Sequence, residues 1–474
     1  MAAGRLLHKG GTTKAITASR PLFLTGTRSF YFADAARYEK EDMVMAGKYF
    51  AQKGTQDVMP SDSYRWSFVE NLMRDIAKNY GYREGRTPTF EATELFARGV
   101  GDTSDVVQKE MYTFNDKGDR SITLKPEGTA GMVRAAIESG QINDALPFKA
   151  CYITPCFRYD KPQAGRFREF HQFGIECLGA PSAACDVEAI SLANEIFSKL
   201  GLNDCKLFIN SIGCKTCRAK YSEALKAYFA ESRDQLCETC QSRLDKNPMR
   251  ILDCKSEICK GIAKGAPKII DYLCDDCSAH FESVKRRLDA VGIPYEIDTG
   301  IVRGLDYYTK TVFEFVSDSL GLTVCGGGRY DGLCEELGGP KVTGLGFAIG
   351  IERLLLVLEK AGVELPGKPE CDVYLCSIGE AASCKAQQLC QQMREDGLWA
   401  ECDIVGRSVK AQMKYANKIG ARFSLVLGDD ELANEQVQVK EMATGASELV
   451  TFDKLSNYIS TASIAAKLGL GSIE

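Results

Sequence analysis

No stretch of the chain approaches the roughly 18 uninterrupted apolar residues of a membrane-spanning helix, so no transmembrane helix is expected. The chain also lacks G-x-x-x-x-G-K-S/T, and Gly344, Gly346 and Gly350 do not match G-x-G-x-x-G. Neither a P-loop nor a dinucleotide fold is therefore supported. No segment repeats at a solenoid period. A global basic field is missing too: 59 Lys and Arg against 64 Asp and Glu leave a net charge of −5. Any nucleic-acid binding must come from local patches. Acidic residues are absent from the first 33 positions, which carry Arg5, Lys9, Lys14, Arg20 and Arg28. That composition reads as an organellar transit peptide, placing the protein in a mitochondrion or plastid, with the cytoplasm as the alternative.

What is present is a soluble globular composition, 45% hydrophobic and 26% charged, on 474 residues, enough for two to four domains. Tyr64, Phe68, Leu72 and Ile76 have helical spacing after Pro60, with Ser61 as a candidate cap, and Gly81 ends that helix. Residues 148–158 and 168–178 read as two strands around a basic hairpin tip that holds Lys161, Gln163 and Arg166. A helix to about Leu200 and a strand at Cys205–Asn210 follow. A cysteine-rich, mostly helical segment comes next. Residues 344–360 read as a glycine-containing strand entering an apolar helix. Past a linker with Pro366 and Pro369, strands and helices alternate to about residue 427, which marks a small α/β domain.

Three arginines stand where a phosphate could be gripped by a planar fork of donors: Arg158, Arg303 and Arg353. Each alone fits a solvated surface equally well. Together they suggest a triphosphate site held by side chains rather than by a glycine loop. On the strand 168–178, Gln172, Gly174 and Glu176 share one face, and Phe173, Ile175 and Cys177 the other. A polar face with a glycine gap suits the floor of a binding site, or an edge strand with one wet face. Glu127 and Thr129 lie at a turn, where they suit either a helix cap or a ligand.

FRYD (157–160) followed by PQAGRFREFHQFGIE (162–176) resembles motif 2 of class II aminoacyl-tRNA synthetases. GLGFAIGIERL (344–354) resembles motif 3, and the helix and strand ending at Pro88 resemble motif 1. RGLDYYT (303–309) and GGGRYDGL (326–333) are similar to the two stretches peculiar to the histidyl-tRNA synthetase family; KGTQDVMP (53–60) and LKPEGTAGMVR (124–134) fit it as well. The resemblance implies an α+β protein: a class II antiparallel-sheet catalytic core, a helical insertion and a C-terminal α/β anticodon-binding domain. The implied bounds are an N-terminal extension at 1–50, core at 51–212 and 289–362, insertion at 213–288, and anticodon-binding domain at 369–474.

The implied activity is ATP-dependent ligation of L-histidine to tRNA-His through a histidyl-adenylate, with Mg²⁺ on the phosphates, by a homodimer with no membrane partner. Glu127 and Thr129 would hold the α-amino group of histidine, and Gln172 would contact the amino acid. Glu176 and Tyr308 would face the imidazole, with Tyr307 and Tyr330 shaping the pocket. Arg158 and Arg303 would act on the α-phosphate of ATP, and Arg353 on its distal end. Two positions depart from the family's pattern: Asp160 replaces the commoner Glu, and Lys125 stands where Arg is often seen. The rivals are a non-catalytic paralogue that regulates histidine biosynthesis and a zinc-dependent RNA-binding module. The paralogue lacks the arginine stretch and the C-terminal domain. The zinc module leaves the three arginines unexplained.

Twenty cysteines are too many to ignore, and eight fall between 214 and 277. Cys214 and Cys217, Cys237 and Cys240, and Cys274 and Cys277 have C-x-x-C spacing, and Cys254 and Cys259 are C-x-x-x-x-C. Two cysteines so spaced can bite one tetrahedral Zn²⁺, and eight thiolates would fill two four-thiolate structural sites. The alternative is that they pack as small hydrophobes.

Overall fold

The structure, a computed structural model, describes residues 49–100, 106–254, 256–301, 305–366 and 368–467. The basic stretch read as a transit peptide lies outside them. The first helix spans Ser63–Asn79 and takes Asp62, not Ser61, as its N-cap. Ser61 lies one residue outside the helix and its hydroxyl donates to the Asp62 carboxylate at 2.6 Å; Asp62 makes no side-chain capping bond. The buried face is rotated from the expected one: Trp66, Val69, Met73, Ile76 and Ala77 are buried, whereas Tyr64, Phe68 and Leu72 are only half-buried.

After β1 (Arg83–Glu84) the chain forms a small antiparallel sheet of β2 (Phe90–Ala92), β3 (Tyr112–Asn115) and β4 (Ser121–Leu124). The large sheet continues with β5 (Phe148–Phe157), β6 (Glu169–Leu178) and β7 (Cys205–Ser211). The insertion then follows, with helices Lys215–Ala230, Glu238–Lys246, Glu257–Ala263 and Asp275–Val291. The sheet is completed by β8 (Glu296–Ile297), β9 (Thr309–Ser317), β10 (Leu322–Arg329) and β11 (Gly344–Gly350). Spatial order is β1-β5-β6-β11-β10-β9-β7-β8. Its central pairings are antiparallel, and β1 with β5 and β7 with β8 are parallel.

Period-two alternation divides this sheet into a dry face and an open one. Phe173, Ile175, Phe313, Phe315, Phe347 and Ile349 join one core with Val69 and Met73, Ile190 and Ile196, Val284 and Leu288, and Leu354 and Leu358. Those partners come from Ser63–Asn79, Ala183–Lys199, Asp275–Val291 and Ile351–Lys360, so four helices cover the dry face. Ala183–Lys199 starts where Ser182 Oγ accepts from the Ala184 N–H at 3.2 Å.

One ion pair ties these layers together. Arg329, at the end of β10, donates from Nε and Nη2 to the Asp186 carboxylate at 2.6–3.0 Å, and both side chains are fully buried. Arg329 also donates to the Ala180 and Ser182 carbonyls, and His280 Nε2 lies 3.3 Å from Asp186 Oδ1. Burial alone would raise the Asp186 pKa, but His280 and Arg329 outweigh it and hold the carboxyl below its usual range.

The C-terminal unit has a five-stranded sheet of β12 (Val373–Ser377), β13 (Ala400–Cys402), β14 (Phe423–Leu427), β15 (Gln436–Glu441) and β16 (Ser447–Thr451). Their order is β13-β12-β14-β15-β16. Helices Glu380–Glu395 and Val409–Lys418 supply the crossovers between its parallel strands. The α/β pattern is as the sequence implies, whereas the β15–β16 hairpin and the helix Leu455–Lys467 extend beyond what the alternation shows.

Replacing Asp186 by Ala would leave the Arg329 guanidinium buried without its counter-charge. The expected loss is roughly 3–5 kcal/mol of stability. Urea unfolding of Asp186→Ala against the parent measures it, and a loss within about 0.5 kcal/mol, as for an ordinary surface change, would show that the pair is not a structural hub.

Candidate active site

The open face of the sheet is nearly bare at its centre because the register aligns small residues. Gly350 lies opposite Gln172, Ala348 opposite Gly174, and Gly346 opposite Glu176. On the other side of β11, Gly326 pairs with Ala348 and Gly328 with Gly346. Glycines and an alanine between Gln172 and Glu176 leave room beside β11 for a ligand. The resulting cavity has a volume of about 340 Å³ and is lined by Glu127, Thr129, Arg158, Gln172, Tyr307, Tyr308 and Arg353, among others. Seven expected site residues, separated by up to 226 positions in the chain (127 to 353), therefore meet in one cavity.

Glu127 both caps a helix and lines the cavity, so the two readings of its turn are not exclusive. Its carboxylate accepts from the Thr129 N–H at 2.6 Å and the Ala130 N–H at 2.9 Å, at the start of the helix Thr129–Glu138. Burial raises its pKa, against those backbone donors and Arg158. Glu176 stands on the same face as Gln172, fully buried, with its carboxylate over Gly346. Tyr152 Oη donates to its Oε1 at 2.8 Å, and Tyr330 Oη donates to its Oε2. Burial pushes the Glu176 pKa up to about 8, against the hydrogen bonds from Tyr330, Thr129 and Tyr152. The Tyr307 ring lies tilted at 48° to Tyr308, 4.7 Å between centroids, and edge-on to Tyr330 at 5.6 Å.

Tyr152 carries no signal in the sequence. It sits directly opposite Gly174, and a Cβ on Gly174 would come within 2.4 Å of its ring. Only the strand register shows that the glycine gap belongs to a tyrosine. Glu352 was also missed, although an acid inside the apolar run before Arg353 is a usable signal. It accepts from the His171 backbone N–H at 2.9 Å and lies 3.0 Å from His171 Nδ1.

At the other end of the cavity three guanidinium groups converge: Arg158, Arg166 and Arg353. Burial lowers the Arg353 pKa first, and the positive charges of Arg166 and Arg158 lower it further. An anion placed there would relieve that repulsion. Arg158 Nε donates to the Pro126 carbonyl at 2.8 Å, and Arg353 Nη1 to the Thr323 carbonyl at 2.7 Å, which fixes both side chains. Arg166, expected at a basic hairpin tip, instead joins the cavity wall through an ion pair with Asp160. Lys161 and Gln163 stay exposed. Lys125 is buried, and its Nζ donates to the Thr87 carbonyl at 3.2 Å. Arg303 lies outside the described residues.

The Glu176 pKa makes a prediction with a definite sign. Its folded value, about 8, is above its ordinary 4.5, so the folded chain holds a proton that the unfolded chain releases. That contribution is present below about 4.5 and is lost as pH rises to about 8. Between those limits the parent should lose stability against Glu176→Gln at up to roughly 1.4 kcal/mol per pH unit, with a constant gap above. Unfolding midpoints of both proteins from pH 5 to 9 measure this, and parallel profiles would contradict it.

Residues 54–354 match the Histidyl-tRNA synthetase family, and residues 372–462 match the Anticodon binding domain. The Histidine--tRNA ligase of Clostridium perfringens (strain SM101 / Type A) is 56% identical over 404 residues, covering 85% of this chain and 97% of that protein. The Histidine--tRNA ligase of Caldanaerobacter subterraneus subsp. tengcongensis is 54% identical over 411 residues, covering 86% of this chain and 99% of that protein. The crystal structure of apo Staphylococcus aureus histidyl-tRNA synthetase superposes with a TM-score of 0.74 at 43% identity, over 87% of this chain and 99% of that one. These relatives are bacterial, which overturns the expected mitochondrial or plastid location and points to a cytoplasmic enzyme. The transit-peptide reading is unsupported for the same reason: a basic, acid-free composition is not specific to imported proteins. On the family match and on identity above one half across most of both chains, the chain belongs to the histidyl-tRNA synthetase family.

Proposed function

We propose that the cavity on the open face of the sheet is where L-histidine and ATP react. The chain is an aminoacyl-tRNA synthetase that joins histidine to tRNA-His through a histidyl-adenylate. The observation that carries the reading of the site is one cavity with two chemical ends. Glu127, Thr129, Gln172 and paired tyrosines lie among its walls, and so do the guanidinium groups of Arg158, Arg166 and Arg353.

In this reading Glu127 and Thr129 hold the α-amino group and Gln172 contacts the amino acid. Glu176, held by Tyr152 and Tyr330, and Tyr308 present polar groups to the imidazole. A site built on such groups rejects amino acids that cannot pair with them. A histidine carboxylate oxygen attacks the α-phosphorus, forming a P–O bond as the bond to pyrophosphate breaks. Arg158 and Arg303 stabilise the charge on the α-phosphate oxygens, and Arg353 holds the distal phosphates. Mg²⁺, when bound, neutralises phosphate charge, and the Asp160 and Glu352 carboxylates on the cavity wall offer the oxygen donors it takes. A ribose hydroxyl at the end of tRNA-His then attacks the acyl carbon and AMP leaves.

The proposed domain bounds are 51–212 and 289–362 for the core, 213–288 for the insertion and 369–474 for the anticodon-binding domain. Lys161 and Gln163 at the exposed hairpin tip meet the acceptor end. The motif 1 helix, Ser63–Asn79, supports assembly as a homodimer. A regulatory paralogue is disfavoured, because residues 372–462 match an anticodon-binding domain that such a paralogue lacks.

Histidine-dependent exchange of labelled pyrophosphate into ATP, without tRNA, tests the activity. Arg303→Ala should slow that exchange by about 10²-fold or more while histidine binding changes less. Unchanged exchange would remove Arg303 from the chemistry. Arg353→Ala should raise the KM for ATP and leave that for histidine near the parent value; equal rises would assign Arg353 to the framework instead. Sedimentation of the purified chain should give the mass of a dimer, and a monomer active in exchange would refute the assembly.

A further inference from the structure

The insertion's eight cysteines come together in two groups of four. The sulfurs of Cys214, Cys217, Cys274 and Cys277 all lie within 4.8 Å of one another, and so do those of Cys237, Cys240, Cys254 and Cys259. Cys214 Sγ is 3.6 Å from Cys217 Sγ and 3.9 Å from Cys274 Sγ, and Cys237 Sγ is 3.8 Å from Cys254 Sγ. A tetrahedral ion with Zn–S bonds of about 2.3 Å spaces its sulfurs by about 3.8 Å. All eight are free thiols.

The surroundings favour thiolates over packed thiols. Cys214, Cys237 and Cys274 are the N-caps of the helices Lys215–Ala230, Glu238–Lys246 and Asp275–Val291, with Cys217, Cys240 and Cys277 in their first turns. Helix N-termini stabilise negative sulfur. Backbone N–H groups point at the sulfurs as well: Cys274 donates to Cys217 Sγ at 3.1 Å, Cys237 to Cys259 Sγ at 3.4 Å, and Ser256 to Cys254 Sγ at 3.4 Å. Gly213, at φ +64°, turns the chain so tightly that a Cβ there would meet Cys217 Cβ at 2.5 Å. Cys240, Cys254 and Cys259 are buried in the insertion's core, but packing does not account for Cys214, Cys237 and Cys274, which are only half-buried. The insertion's own core is thin, centred on Tyr221, Leu225, Phe229, Leu236, Leu244 and Ile251, and a core of that size needs a staple.

We propose that the insertion holds two structural Zn²⁺ ions: a basal one on Cys214, Cys217, Cys274 and Cys277, and a distal one on Cys237, Cys240, Cys254 and Cys259. The basal site clamps the two places where the chain enters and leaves the insertion, just after β7 and just before the helix returning to β8. The clamp reaches the cavity. Arg218, next to Cys217, donates to the Asp306 carbonyl at 3.4 Å. Arg250, four residues before Cys254, pairs with the Asp306 carboxylate at 2.7 Å. Asp306 immediately precedes Tyr307 and Tyr308, so both metal sites brace the loop that carries these tyrosines. This last step rests on the histidine pocket proposed above.

Elemental analysis of the full chain, purified under reducing conditions, should find two zinc ions per chain. Cys214→Ser and Cys237→Ser should each reduce this to one. Replacement by Co²⁺ should give the thiolate charge-transfer bands and intense visible absorption of tetrahedral sulfur sites. Folded parent protein with reduced thiols and no bound zinc would overturn the proposal even if neither variant folds. A soluble Cys214→Ser protein that had lost both ions would overturn the partition into two sites. In Cys214→Ser the KM for histidine should rise while the KM for ATP does not. Equal changes in both would overturn the coupling to the pocket and leave the zinc count standing, and a parent that binds two zinc ions without activating histidine would separate the metal sites from the proposed function.

Discussion

The central sheet must keep a cavity open on one face, so its main layer of covering helices lies on the other, and the helix Thr129–Glu138 packs beside the cavity. That constraint acts residue by residue along β6, β10 and β11. Phe173, Ile175, Phe347 and Ile349 turn to the helices and are almost fully buried. The alternating positions that face the other way are glycine and alanine where the cavity is deepest. Loss of side-chain packing on that face weakens the sheet. The four covering helices and the extended β5–β6 and β9–β10 ladders offset this.

Buried charge is concentrated around the same sheet, and the two cases behave differently. Asp186 and Arg329 satisfy each other in a geometry with several charge-assisted donors, and the carboxyl stays ionised. They join a helix, a strand end and, through His280, the helix that ends the insertion. Glu176 has hydroxyl donors, Tyr330, Thr129 and Tyr152, close to its carboxyl, and burial keeps it protonated into the neutral range. The first arrangement fixes architecture. The second holds a polar group beside the cavity without committing it to a charge.

The insertion leans on this framework rather than standing apart from it. Its last helix, Asp275–Val291, contributes Phe281, Val284 and Leu288 to the main core. Its polar side chains Arg218 and Arg250 reach Asp306, next to the tyrosines of the cavity. Order within the insertion is therefore felt where the tyrosine side of the cavity is built.

Some of this was legible without coordinates. Period-two patterning along residues 168–178 assigned Gln172, Gly174 and Glu176 to one face, because that period follows from strand geometry alone. Motif order named the family, and spacing paired the cysteines two by two, because a C-x-x-C bite is local. What no local pattern could decide was which elements meet. Strand register put Tyr152 opposite Gly174 and aligned the small residues of β6, β10 and β11 into a floor. The hairpin's return drew Arg166 into the cavity beside Arg158 and Arg353. Helix packing joined Cys214 and Cys217 to Cys274 and Cys277, across 60 residues, and Cys237 and Cys240 to Cys254 and Cys259. Local sequence determined the period and the bite of each element; the partners were decided by long-range contacts, which depend on the whole chain's burial and not on any short run of residues.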